Sequence, residues 1–157
     1  GSDPGRSGLD QIDLGFQPTA GEEMRSLKSI ASSGEISRVM LAVKAVLAEH
    51  DKIPLLVFDE IDANVGGEMG HAIGQKMSEV ARHHQLITIT HLPQVAAFAD
   101  THFKVEKSVL RGRTLTRITR VEGADRVEEV ARMAGGDKIG EATRKRAREL
   151  LGSRVSL

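Results

Sequence analysis

Apolar positions fall at two spacings along this chain, and the switches between them outline its elements. Ile12 to Phe16 reads as a short strand, closed by Pro18 and Gly21. Ser32 and Ser33 then stand ahead of a run to about His50, with Ile36, Val39, Met40, Val43, Val46 and Leu47 at helical spacing. Behind Pro54, the unbroken apolar run Leu55 to Phe58 predicts a strand buried on both faces, the kind found in parallel sheets. A helix is expected from about Gly67 to His84, with Met69, Ile73, Met77 and Val80 on one face. A strand from Leu86 to Thr90 follows, and Pro93 suits the first turn of a short helix ending near Ala99. His102 to Val109 and Thr114 to Val121 alternate as strands, joined through Arg111, Gly112 and Arg113 as a hairpin. Two helices close the pattern, about Ala124 to Ala134 and Lys138 to Leu151, with Gly135 and Gly136 as the C-cap between them. The strand–helix–strand order from 55 to 90 predicts a right-handed parallel unit within an α/β fold.

Composition narrows the class. The 157 residues are 39% apolar and 28% charged, enough for one globular domain with a real core. Twenty-two basic residues balance 22 acidic ones, so no bulk attraction to nucleic acid is expected. The absence of Cys excludes disulfides and thiolate metal sites, and suggests a cytoplasmic location. No apolar run approaches the roughly 20 residues that span a bilayer, and no signal peptide opens the chain. Residues 1–7 read as a linker or tag remnant, 8–151 as the domain and 152–157 as a tail.

Candidate chemistry begins where the buried strand ends. Asp59 and Glu60 directly follow Phe58, at the carboxyl end of a parallel strand where α/β sheets hold ligands. A Walker-B nucleotide hydrolase needs this pair: one carboxylate as a hard oxygen ligand for Mg²⁺, the next to orient or deprotonate water. A plain strand followed by a solvated turn explains the same residues. Ser32, Ser33, Gly34 and Glu35 precede a helix, where free N–H groups and the dipole favour an anion, although on these residues alone an ordinary Ser cap is the favoured reading. Asp62 lies in a polar turn just after the carboxylates. His91 follows the next strand, which would bring its imidazole beside Glu60, although a lone His at a strand end is more often structural.

In this order and spacing the segments resemble the C-terminal lobe of an ABC-type ATPase head: signature motif, Walker-B strand, D-loop and switch histidine. Ser-Gly-Glu-Ile-Ser-Arg (33–38), Val-Phe-Asp-Glu-Ile-Asp (57–62) and Ile-Thr-His-Leu-Pro-Gln-Val-Ala-Ala-Phe-Ala-Asp (89–100) are similar to the RecN family of bacterial DNA repair proteins, as is the run Val127 to Met133 before Gly135 and Gly136. The resemblance spans about Gly8 to Leu151. It implies the C-terminal lobe of an ABC/SMC-type P-loop ATPase head, a mainly parallel sheet flanked by helices with a β-hairpin. ATP and Mg²⁺ are the implied cofactors. Asp59 would hold Mg²⁺ through water, Glu60 would be the catalytic base, and His91 would sense the γ-phosphate. Ser32, Ser33, Gly34 and Glu35 would form the signature that meets nucleotide on an opposite head, and Asp62 would sit at the head–head interface. Ser33 departs from the two glycines usual in the family's signature.

The implied partners are the P-loop-bearing N-terminal lobe of the same protein, a second head in a head-to-head homodimer, DNA and the RecA recombinase, with no membrane and a nucleoid-associated location in the cytoplasm. A P-loop is absent from the sequence; the run from Gly70 to Lys76 has the wrong spacing. The lobe is therefore expected to be inactive alone. Two alternatives remain: a split-head ATPase of the chromosome-maintenance or Rad50 kind, and a non-enzymatic clamp with structural carboxylates. Other features favour plain readings. His83 and His84 are adjacent on a helix and do not converge on an ion. Arg111, Arg113, Arg117 and Arg120 do not share a strand face, Arg144 to Arg148 interleave with Glu141 and Glu149, and four Phe without Trp or Tyr give no stacking platform for single strands.

Overall fold

The parallel pair at the centre of the molecule is β3 (Leu55–Phe58) and β4 (Gln85–Thr88), in register from Leu55 opposite Gln85 to Phe58 opposite Thr88. The structure is a computed structural model that describes residues 8, 13–17, 21–29, 32–110, 112–136 and 139–153. Expectations that fall on residues 1–7, Ile12, Pro18, Ala31, Arg111, Lys138 and residues 154–157 lie outside the described residues. Two short strands come first, β1 (Gly15–Phe16) and β2 (Arg25–Ser26), paired antiparallel. Helix α1 (Ser33–Leu47) precedes β3, and α2 (Gly67–Val80) crosses from β3 to β4. After β4 come α3 (Pro93–Ala96), the hairpin β5 (His102–Leu110) and β6 (Arg113–Val121), and helices α4 (Gly123–Gly135) and α5 (Glu141–Gly152). No described helix is long and apolar enough to cross a membrane.

Two expectations about burial need correction. β3 is covered on one face only: Leu56 and Phe58 are buried, whereas Leu55 and Val57 are 45% and 60% exposed. Continuous hydrophobicity promises two covers, and the described residues supply one. In α1 the apolar stripe Ile36, Met40, Val43, Val46 and Leu47 is exposed. The helix turns Gly34 and Leu41 inward instead, with Ala48 at its C-cap, and Gly34 lets its first turn lie close to the turn after β3. Periodicity identifies an apolar face but not the neighbour that covers it.

The main core joins Leu41, Leu56, Phe58, Ile61, Ile73, Met77, Val80 and Val95. Each such side chain, fully buried, contributes about 1.5–3 kcal/mol. Gly70 and Gly74, which mimic a P-loop in the sequence, serve packing: a Cβ on Gly74 would lie 2.4 Å from the Phe98 ring and one on Gly70 2.8 Å from Leu92. A second cluster of Ala97, Val130, Ala131, Ala147 and Leu150 fastens α4 and α5 to the end of α3. Pro93 opens α3 as expected, and Gly136 follows α4 with φ of 66°. The hairpin register puts Arg113 and Arg117 on one face and Arg120 on the other. On α5, Arg144 pairs with Glu128 at 2.6 Å and Arg148 with Glu141 at 3.1 Å, as a solvated charged face would.

Candidate functional site

The chain leaves β3 through Asp59 and Glu60, both exposed, and dives back at Ile61 and Asp62, which are 0% and 1% exposed. That reversal requires a sharp turn. Glu60 adopts a left-handed conformation (φ 56°), as does Asn64 (φ 58°), and the Ala63 N–H donates to the Glu60 carbonyl at 3.0 Å. A non-glycine residue with positive φ is held at a cost, and such positions cluster at functional sites. Buried Ile61 anchors the turn in the core.

The N-terminal turn of α1 lies directly against this turn. The Ser33 hydroxyl donates to the Glu60 carboxylate, and the Ser37 hydroxyl donates to the Asp59 carbonyl at 3.1 Å. Arg38 donates through Nη1 to the carbonyls of Ile61 and Ala63, both at 3.2 Å. Gly34 is buried beneath: a Cβ there would stand 2.9 Å from the Glu60 carbonyl oxygen. Ser32 is the N-cap of α1, its hydroxyl accepting from the Glu35 N–H at 3.5 Å. Glu35 occupies the first turn and is half-buried. The proposed signature segment thus adjoins the carboxylate pair within one lobe. No local pattern announces this contact, since the residues concerned are 22 to 27 positions apart.

His91 and Asp62 are placed differently from expectation. The imidazole of His91 faces Asp62, its Nδ1 lying 3.2 Å from that carboxylate. Asp62 faces inward rather than toward an outer interface. One of its oxygens accepts from the Thr90 hydroxyl at 2.5 Å and from the N–H groups of His91 and Leu92 at 2.9 and 3.1 Å. Burial by itself would push the Asp62 carboxyl up, but the donors from Thr90, His91 and Leu92 outweigh it and hold the carboxyl below its ordinary value. The physical reason for the inward turn is satisfaction: the 90–92 loop has N–H groups to place before α3, and Asp62 is the acceptor. Thr90 is the residue the sequence reading missed, although a hydroxyl beside His91 was a signal that could have been weighed.

No group of three or more His, Asp or Glu side chains among the described residues could hold a metal. Asp59 offers an exposed carboxylate at the end of β3. That suits Mg²⁺, which keeps water and substrate phosphates in most of its positions and takes one or two carboxylates.

The chain also resembles known proteins. A solved structure from work on the ATP-driven dimerization and DNA-stimulated activation of SMC ATPases superposes with a TM-score of 0.52, at 20% identity, covering 76% of this chain and 71% of that one. The fold is therefore that of an α/β lobe of an SMC-type ATPase head. No protein-family model matches the chain. Its sequence is 38% identical over 151 residues to the DNA repair protein RecN of Halalkalibacterium halodurans, 40% over 144 residues to that of Bacillus subtilis, and 46% over 147 residues to that of Mycobacterium leprae. These matches cover 92–96% of the chain, which spans about a quarter of each relative's length (25–27%). The chain is thus similar to the C-terminal part of RecN proteins.

Proposed function

We propose that this chain is the C-terminal lobe of an SMC-like, ATP-hydrolysing head in a DNA double-strand-break repair protein, completed by a P-loop-bearing lobe of the same protein. The observation that carries this reading is the turn after β3. Asp59 and Glu60 stand exposed at the carboxyl end of a parallel strand, with the α1 N-terminus on one side and the His91 loop on the other.

In this reading Asp59 holds Mg²⁺, through water. The ion supplies charge neutralisation to the phosphates. Glu60 takes the proton of the attacking water, from a position set by its left-handed backbone. His91 presents its ring to the terminal phosphate. Ser32, Ser33, Gly34 and Glu35 meet the nucleotide of an opposite head in a head-to-head homodimer. For Ser33 this requires a change of partner, because its hydroxyl is engaged by Glu60 in the same lobe. Asp62 belongs to the head–head interface from behind, and the exposed Asn64 of the same turn makes its outward contact. DNA, and the RecA recombinase as a protein partner, belong to the whole protein, and its place is the cytoplasm, at the nucleoid.

The test is complementation. Mixed with a P-loop-bearing lobe, this chain should support ATP hydrolysis, and alone it should not. Glu60→Gln keeps the size of the side chain but removes the base, so turnover should fall by roughly 100-fold or more while ATP binding survives. Near wild-type turnover in Glu60→Gln would place the base elsewhere.

A further inference from the structure

The buried carboxylate of Asp62 joins two loops that the proposed reaction needs together. It leaves the chain two residues after Glu60, in the turn anchored by Ile61, and it reaches across to the loop that carries His91. Three donors from that loop converge on one oxygen: Thr90 Oγ1, His91 N and Leu92 N, at 2.5, 2.9 and 3.1 Å. The Thr90 hydroxyl in turn accepts from the Leu92 N–H at 3.1 Å, closing a small network. A carboxylate 1% exposed and met by three donors is a fixed point, because any motion of the loop would leave it desolvated and unpaired.

The same oxygen faces the His91 ring. Nδ1 lies 3.2 Å away, while the imidazole side chain is 69% exposed. An unprotonated Nδ1 would set its lone pair against a carboxylate oxygen. A proton on Nδ1 instead meets negative charge. The tautomer of a histidine is set by what one ring nitrogen faces, and the other nitrogen then carries the chemistry.

We infer that Asp62 is a positioning residue for His91: it fixes the 90–92 loop to the Glu60 turn and holds the neutral imidazole with its proton on Nδ1, leaving Nε2 as the nitrogen presented outward. The consequence for ATP hydrolysis rests on the proposed function. The placement of the proton does not.

The experiment therefore has two arms. In the first, ¹⁵N NMR of the ring nitrogens is recorded on the whole chain, at a pH where the ring is neutral, with His91→Gln used to assign the signals. The wild-type ring should show Nδ1 protonated and Nε2 bare. Free imidazole side chains prefer the opposite form, so a wild-type ring protonated on Nε2 overturns the inference without any further variant. Asp62→Asn should move the proton to Nε2. Thr90→Val removes one donor to Asp62 but keeps the carboxylate, and should leave the tautomer in place; a shift as large as that in Asp62→Asn would assign the effect to loop packing and overturn the inference.

The second arm uses the complemented head. Asp62→Asn should lower kcat by roughly 10-fold or more, the scale for groups that orient a functional histidine, with KM for ATP moved by about twofold or less. An unchanged kcat with a raised KM would show that the loop serves binding, not the placement of His91. A wild-type complemented head without turnover would remove the ATPase reading and leave the tautomer result standing.

Discussion

At Gly34 the α1 N-terminus presses against the Glu60 turn, and Gly34→Ala measures how tightly they interlock. A Cβ built there meets the Glu60 carbonyl oxygen at 2.9 Å, the Ala63 Cβ at 3.0 Å and Arg38 Nη1 at 3.1 Å. The guanidinium can move, but the Glu60 carbonyl is backbone in a turn already held at positive φ and bonded to the Ala63 N–H. Forcing a methyl into a packed contact costs about 1–3 kcal/mol. Replacing Gly by Ala in a helix returns up to about 1 kcal/mol, less in the first turn. The expected net is a loss of about 1–2 kcal/mol. At 2–4 °C per kcal/mol for a chain of this size, the melting temperature should fall by roughly 3–6 °C. Urea unfolding followed by circular dichroism is the assay, with an unchanged slope and a lowered midpoint expected. Adding Ala63→Gly should restore part of the loss and not all of it, because the nearer clash is with backbone. A Gly34→Ala chain as stable as wild type, or more stable, would refute the claim that α1 and the Glu60 turn are locked together.

Two further outcomes follow from buried charge near the end of α3. His102 has a lowered pKa, first because burial penalises its charged form and then because Arg126 lies near, against a smaller opposite pull from Glu129. Since the folded value lies below the unfolded one of about 6.5, the unfolded chain takes up the proton first, and stability is full above that pH and declines as pH falls below it. His102→Gln should flatten the decline between pH 7.5 and 5 in urea midpoints; an identical slope would remove His102 as its source. Asp62 and Glu129, both held low, act only at more acid pH, as each is protonated in the folded chain. Arg126 donates through Nη2 to the carbonyls of Ala96, Ala97 and Ala99, at 3.3, 3.2 and 2.7 Å. Arg126→Met should cost about 2 kcal/mol in equilibrium unfolding, the scale of hydrogen bonds from a charged donor, and a change under about 0.5 kcal/mol would mean that water replaces it.

Element type was legible wherever a period ran long enough. The nine-residue hairpin strands and helices α2, α4 and α5 show their spacing plainly, and Pro93 and Gly136 mark boundaries by backbone chemistry alone. β2 was not legible, since two residues carry no period. The inward face of α1 was misread because its contacts are made by Gly34, Leu41 and Ala48, while the bulkier stripe points away. Within the site, the motif order singled out candidate residues, but their pairing depends on contacts far apart in the chain. Asp62 was placed at an interface by the family resemblance alone; a buried carboxylate is stable only with several donors, and these come from residues 28 to 30 positions away.

The exposure of β3 carries the last step. Side chains alternate along a strand, so Leu55 and Val57 share the open face while Leu56 and Phe58 fill the core. Val57 pairs in register with Ile87, itself 50% exposed, and Ile89 beyond it is 60% exposed. Continued by two, the open face leads to Asp59. The left-handed turn at Glu60 then breaks the alternation and swings the second carboxylate toward Ser33 on α1. Asp59 extends the uncovered apolar face, where, on the proposed function, the P-loop lobe packs and brings its phosphates and metal. Glu60 faces the signature helix, where an opposite head would engage. A strand whose hydrophobicity exceeds its burial is thus consistent with a lobe that covers half of its own sheet, and it puts the metal-directed residue on the half left open.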